Sequence, residues 1–297
     1  MKKIIAIAVI LTATIIVALA AVLLSDNPAD EGTSADAGNT AVLFSSLAEM
    51  WIDAGGTVEI TVGESVERGF VDDNILLVDD GAGKSINTEL LISYKPTLVI
   101  YSEDIPAQVE AAKLMEQNGI ATFGCKVENF SDYEDVMAQM AVLSGKSDVL
   151  SLVAEQRAQI DALKEAQSGK GKRILFIRSG SSDASTKAKL SEDHFACAML
   201  EGLGCENIAD SAPILTENLS MEEILVQQPD AVFFSLMGNE EAAKAHIDEM
   251  LSTDAWSALD AVRNNKVYVL PKDLFHFKPN SRWAESYKYL ADILENL

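Results

Sequence analysis

The residues most suggestive of chemistry stand at Val78 to Ile86, VDDGAGKSI, which ends in Gly-Lys-Ser as a phosphate-cradling P-loop does. A P-loop also needs a glycine five residues before its second one, so that successive backbone amides wrap the phosphates. Here that position is Val78, and Asp79 and Asp80 stand where phosphates belong; like charge there opposes binding. Gly81 and Gly83 are therefore read as a turn at the end of a strand, the place where open α/β sheets bind ligands. Catalytic patterns are equally thin. There is no Gly-x-Ser-x-Gly elbow, and RSGSSD (Arg178–Asp183) has no neighbouring histidine. Pairs such as Asp79/Asp80 or Glu222/Glu223 are common in a chain with 46 acidic residues. Cys125, Cys197 and Cys205 fit no zinc spacing, and His194, His246 and His276 are scattered, so neither metal nor cofactor is expected. A Cys197–Cys205 bridge is open, with buried thiols the leading expectation.

The elements that must position these residues begin with a targeting segment. Lys2 and Lys3 precede an uncharged run from Ile4 to Leu24, too long for most secretory apolar regions and long enough to span a bilayer. Residues 1–24 read as a signal or membrane anchor, and Ala18–Ala20 keeps cleavage open. The positive-inside rule sets the chain after Leu24 outside the cytoplasm, and no cysteine near the run offers a lipid attachment. Residues 25–40 read as a flexible linker. A net charge of −23 excludes nucleic acid as a partner.

From there β-rich runs alternate with helical ones. Thr57–Val62, Asn74–Asp79, Thr97–Ser102 and Ala121–Val127 are strand candidates; Ser46–Ala54, Asn87–Tyr94, Pro106–Asn118 and Ser131–Ser144 are helices. Ser46 with Glu49 and Ser131 with Glu134 match capping boxes. Residues 146–168 read as one long helix with an apolar stripe of Val149, Leu152, Val153, Ile160 and Leu163. Alternation then resumes through Arg173–Ser179, ENIAD, Ala231–Leu236 and Lys266–Leu270. The expected fold is α/β: two Rossmann-like lobes, 41–145 and 169–297, joined by a long inter-lobe helix, with a ligand cleft between them.

SSLAEMWIDAGG (Ser45–Gly56), INTELLISYKPTLVIYS (Ile86–Ser102), SMEEILVQQPDAVFF (Ser220–Phe234) and the tail LFHFKPNSRWAESYKYLADIL (Leu274–Leu294) resemble the substrate-binding proteins of ABC importers. The group is the class III periplasmic binding proteins for ferric siderophores, haem and cobalamin. The likeness runs from about Val42 to Leu297. It implies a monomeric, extracytoplasmic binding protein, not an enzyme, that delivers a small ligand to an ABC permease and its ATPase. It also implies docking through one carboxylate per lobe, at Glu89 and Glu222, with Glu223 as the alternative to Glu222.

A ligand between the lobes would meet the loops after the strands. These supply Ser45, Ser46, Arg68, Lys84 and Tyr101 from the first lobe, and Arg178, Met237, Asp273, Phe275, His276, Phe277 and Lys278 from the second. The family likeness adds that the loop matching Asp273–Phe277 contributes to the ligand site. Ser46 also suits a helix cap, and Phe275 to Phe277 also suit a hydrophobic cluster. An anionic ferric siderophore matches Ser45, Arg68, Lys84, Arg178 and Lys278 best. Cobalamin is usually gripped by stacked aromatics; Trp51, Trp256 and Trp283 read as helix-borne core, which leaves Phe70, Tyr101, Phe275 and Phe277 for that role. Haem has His276 as its single axial candidate. A surface sensor or adhesin on the same fold, or a nucleotide-dependent enzyme, are the other readings.

Overall fold

The computed structural model describes residues 39–297; the apolar run and nearly all of the expected linker lie outside the described residues. The linker ends earlier than expected, because strand β1 (Thr40–Val42) already starts at Thr40, whose amide donates to Glu59 Oε2 at 2.8 Å. That strand has no expectation behind it: three residues are too few for a period-2 signal.

The first lobe is a five-stranded sheet of β1, β2 (Ile60–Val62), β3 (Leu76–Asp79), β4 (Leu98–Ser102) and β5 (Ala121–Cys125). All pairings are parallel, in the order β3-β2-β1-β4-β5. Helices Ser45–Asp53, Gly63–Glu67, Thr88–Ser93 and Pro106–Gln117 make the crossovers. Chain order reverses between β1 and β4, which opens a crevice at their carboxyl ends. The second lobe holds β6 (Arg173–Ser179), β7 (Lys187–Ala188), β8 (Glu206–Asn207), β9 (Ala231–Leu236) and β10 (Val267–Val269), in the order β10-β9-β6-β7. Its one antiparallel pairing is β6 with β7, a two-residue return too short to be read from sequence; β8 pairs with the start of the same strand.

Strands β1, β4, β6 and β9 each feed two cores because successive side chains point to opposite faces. Ile174 and Phe176 face one cluster and Leu175 and Ile177 another; Val42 and its neighbours Ala41 and Leu43 divide likewise. The cluster on the inner side is shared by both lobes and by the 18-residue helix Val149–Ala166. That helix, about 27 Å long, buries Val149, Val153 and Ile160. Leu152, expected in the stripe, is 59% exposed, since it precedes Val153 by about 100° on the helix and falls on the solvent flank. Trp283, 1% exposed, sits at the seam with its ring 6.1 Å from Phe130, 6.4 Å from Tyr133 and 5.9 Å from Phe195. Trp51 and Trp256 are buried in helices too, as expected.

Neither expected capping box forms. The first helix starts at Ser45 behind Phe44, which has no capping side chain. The other starts at Phe130 behind Asn129, whose side chain accepts from Ser131 and Asp132 while Asp132 returns the bond. Asn is as good a cap as Ser and lies two residues earlier. Glu134 instead pairs with Arg157 of the inter-lobe helix. All three cysteines are free and buried, so the Cys197–Cys205 bridge is absent; burial pushes the Cys205 thiol up to about 12 and raises the other two as well. Among the described residues no helix is long and apolar enough to cross a membrane.

Candidate functional site

The GAGKS turn is held by its own side chains. Asp79 Oδ2 accepts the Gly83 amide at 2.7 Å, the amide a phosphate cradle would need free. Gly83 has φ +74°, and a Cβ there would lie 2.2 Å from Leu43 O and 2.4 Å from Gln108 Nε2. Glycine is required because Gln108 passes through that space. Fully buried, Gln108 donates to Leu43 O at 2.7 Å and Gly83 O at 3.0 Å, and accepts from the Ser102 amide at 2.8 Å. One amide thus fastens the loops after β1 and β3 to the end of β4. No sequence signal marks this residue. Lys84 is left exposed on the rim of the turn.

Next to that turn, Arg68 gathers the first wall. Its Nη1 donates to Ser45 Oγ at 3.0 Å and Ser46 Oγ at 3.1 Å, and Nη2 reaches Glu49 Oε2 at 3.4 Å. Ser45 in turn donates to Glu64. The guanidinium lies 4.5 Å from the Phe70 centroid and 4.2 Å from that of Phe277, a residue of the other lobe. Asn280 completes this bridge with bonds from Nδ2 to Ser46 O at 3.1 Å and Glu49 Oε2 at 2.8 Å. Burial raises the Glu49 carboxyl and lowers the Arg68 guanidinium from their ordinary values. Asn280 has φ +49°, which Asn tolerates; the Pro279-Asn280 pair is the sequence signal for it. Tyr101 stands apart. Its ring lies beside Gly124, Glu103 and Glu116 over the helix Pro106–Gln117, and burial foremost raises its hydroxyl.

The second wall is built at the ends of β6 and β9. Arg178 continues the face that carries Ile174 and Phe176, with Lys187 opposite it on β7. Met237 follows β9 and donates its amide to Ser179 O. His276 Nδ1 is 2.8 Å from Leu236 O, with the Phe277 ring edge-on at 4.5 Å. Lys278 lies 5.7 Å from the Phe195 ring. The tail loop therefore divides. His276, Phe277 and Lys278 are half-buried beside the cleft, whereas Phe275 is 1% exposed and packs on Tyr289. That corrects Phe275 as a wall residue: the single-turn helix Lys272–Phe275 turns it into the core. Asp273 points away as well and pairs with Arg282 at 2.8 Å.

Three wall residues escape sequence reading. Lys187 arrives on the unforeseen β7 and Lys189 directly after it, and His194 caps the helix Phe195–Gly202 by accepting the Ala196 amide. Burial first, then Arg178, Lys278 and Lys189, pushes His194 down to about 3. Arg178, Lys187, Lys189 and Lys278 are all half-buried, and none makes an ion pair among the described residues, in a chain with twice as many acids as bases. Elsewhere Arg157, Arg263, Arg282, Lys244 and Lys288 all find carboxylates.

A family model described as Periplasmic binding protein matches residues 41–274. The Vitamin B12-binding protein of Vibrio vulnificus (strain CMCP6) is 26% identical over 154 residues, 51% of this chain and 55% of that relative. The chain thus spans about half the length of the curated relatives it matches. The structure of the periplasmic vitamin B12 binding protein BtuF of Vibrio cholerae matches with a TM-score of 0.68 at 20% identity, covering 88% of this chain and 98% of that one. Staphylococcus aureus SirA complexed with staphyloferrin B matches with a TM-score of 0.63 at 17% identity, over 89% and 94%. At such identities the structural likeness speaks for the fold, two α/β lobes with parallel sheets.

Proposed function

The chain belongs to the periplasmic binding protein family, and from that premise we propose that it is the extracytoplasmic substrate-binding component of an ABC importer, capturing an anionic ferric chelate of the siderophore type. The observation that carries the ligand class is the second wall: four half-buried cations that make no ion pair among the described residues. Burying an unpaired charge is costly, and an oxygen-rich anion entering the cleft would give these cations the partners that the fold withholds. Arg178 and Lys278 lead this role, with Lys187 and Lys189 beside them. His276, Phe277, Met237, Ser45, Ser46, Arg68 and Lys84 complete the surroundings. The core shared by both lobes allows only a small hinge motion on capture.

Delivery to the permease rests on Glu89 and Glu222. Both are exposed in the first turn of a helix, and neither has a side-chain partner among the described residues. Glu223 is less suited, since its carboxylate accepts from Gln227 Nε2 at 2.9 Å. Two carboxylates at a fixed spacing set orientation as well as affinity. The N-terminal run supplies a signal or an anchor that keeps the protein at the outer face of the membrane.

Cobalamin is the second reading, favoured by the names of the relatives matched in sequence. Thermal unfolding of the full-length chain against ferric siderophores of several chelate classes, cobalamin and haem separates the two. A ligand at 100 times its Kd adds about 2.7 kcal/mol of stability. A shift with an anionic ferric chelate alone supports the first reading, and a shift with cobalamin alone replaces it with the second. Substituting Glu89 and Glu222 together should abolish uptake and leave binding intact; unchanged uptake would point to a sensor on the same fold.

A further inference from the structure

His276 has a fixed tautomer. Its Nδ1 lies 2.8 Å from Leu236 O, and a carbonyl can only accept, so Nδ1 carries the ring proton. In the neutral ring Nε2 is then a bare lone pair, and no described residue hydrogen-bonds to it. The charged and titratable groups around the ring come from several elements. Lys272 is on its own turn, Arg178 on β6, and His194 at the start of the helix Phe195–Gly202. Glu64 belongs to the other lobe, and Glu240, held by Lys244, opens the helix Glu240–Leu251. Burial is the main reason the imidazole sits below its ordinary value; Lys272 and Arg178 add to it, against the Leu236 bond and Glu64. With the cleft empty, His276 is neutral at pH 7.

A lone pair repels an oxyanion, whereas Nε2–H on a charged ring is a strong donor to one. We infer that capture of an oxyanion-bearing ligand at this wall is coupled to the uptake of one proton from solvent by His276, so that acidity tightens binding. This coupling rests on the anionic-chelate reading and adds to it a regulation of the same site. The ligand's charge offsets the repulsion from Arg178 and Lys272 and supplies the acceptor that Nε2–H needs. No bond in the ligand breaks; the only transfer is from bulk water to Nε2. Affinity should rise by up to about tenfold for each unit that pH falls between the His276 values of the loaded and empty protein, and be flat on either side.

The test is calorimetric titration of the full-length chain at pH 7 in Bis-Tris and in Tris, whose ionisation enthalpies differ and which bring no oxyanion, with ferric citrate and with catecholate and hydroxamate ferric chelates. For whichever chelate binds, the difference in heat counts the protons taken up. The expected result is uptake approaching one proton by the native protein, near zero for His276→Gln, and a Kd for that variant that no longer follows pH. Equal heats in the two buffers overturn the coupling and leave the chelate reading standing. Uptake retained by His276→Gln also overturns it, because the proton then goes elsewhere. Failure of every chelate to bind overturns both. Independent of the variant's folding, the His276 imidazole in the native protein should titrate at higher pH when the gallium form of the bound chelate, a diamagnetic substitute, is present; an unmoved titration rejects the inference.

Discussion

The two walls of the cleft handle polar groups in opposite ways. On the first, Arg68 is committed to Ser45, Ser46 and Glu49 and lies between two aromatic rings, while Gln108 satisfies three loops at once. On the second, Arg178, Lys187 and Lys189 have no hydrogen-bond or ion-pair partner for their charged ends among the described residues. The first wall is therefore a scaffold that also latches the lobes, and the second is where an incoming charge has most to gain. Trp283 lies between them and keeps their spacing.

The largest effect should come from that seam. Trp283→Ala removes a ring buried among residues of both lobes and should cost about 3–5 kcal/mol, read as a lower denaturation midpoint. If the lobes then unfold in two steps, the shared core is what makes them one cooperative unit; a loss below ~1 kcal/mol would mean that the seam carries little of the packing.

Arg178→Glu tests the second wall. Charge reversal beside Lys187, Lys278 and His194 should weaken an anionic chelate by about 100-fold or more, equivalent to ~2.7 kcal/mol, with stability unchanged or raised because repulsion among the cations falls. A variant that loses stability but keeps affinity would make Arg178 a structural residue and reverse the assignment of the walls.

Arg68→Ala should behave the other way. It strips two serines of a donor, leaves Asn280 as the remaining donor to the Glu49 carboxylate and takes the cation from two rings, so a cost of about 1–3 kcal/mol is expected. Ligand affinity should drop less than for Arg178→Glu. Equal losses of affinity from both substitutions would erase the contrast between the walls.

How far each wall was legible depends on the range of its interactions. Alternating apolar runs revealed the lobes, the inter-lobe helix and most strands, because strand and helix periods are local properties of the chain. Arg178 was legible as a cation at the end of a strand, and His276 and Lys278 as polar residues in the loop after one. Gln108 and Glu49 were not: their roles depend on Leu43, Gly83 and Asn280, up to 231 positions away, and no spacing encodes that. Phe275 was misread by the same token, since one short turn decides whether it faces the cleft or Tyr289. Lys187 and Lys189 were missed because β7 is too short to have a period.

The smallest expected effect lies in the latch. Burial holds the Glu49 carboxyl above its ordinary value of 4.5, with Asn280 and Arg68 only partly offsetting it. The native state therefore binds more protons than the unfolded chain just above pH 4.5, so this group's contribution is fully present below that pH and declines as pH rises through its folded value. The exposed Glu285, which Arg282 holds below its ordinary value, acts in the opposite sense and loses its contribution as pH falls. Glu49→Gln keeps an acceptor for Asn280 and removes the titration. Its stability relative to the native protein should climb with pH above 4.5 and then level off, measured as the difference between urea midpoints across that range. A flat or falling difference would mean that Arg68 and Asn280 outweigh burial, and the latch would be an ion pair in the ordinary sense, open to acid, instead of a buried carboxyl that acid tightens.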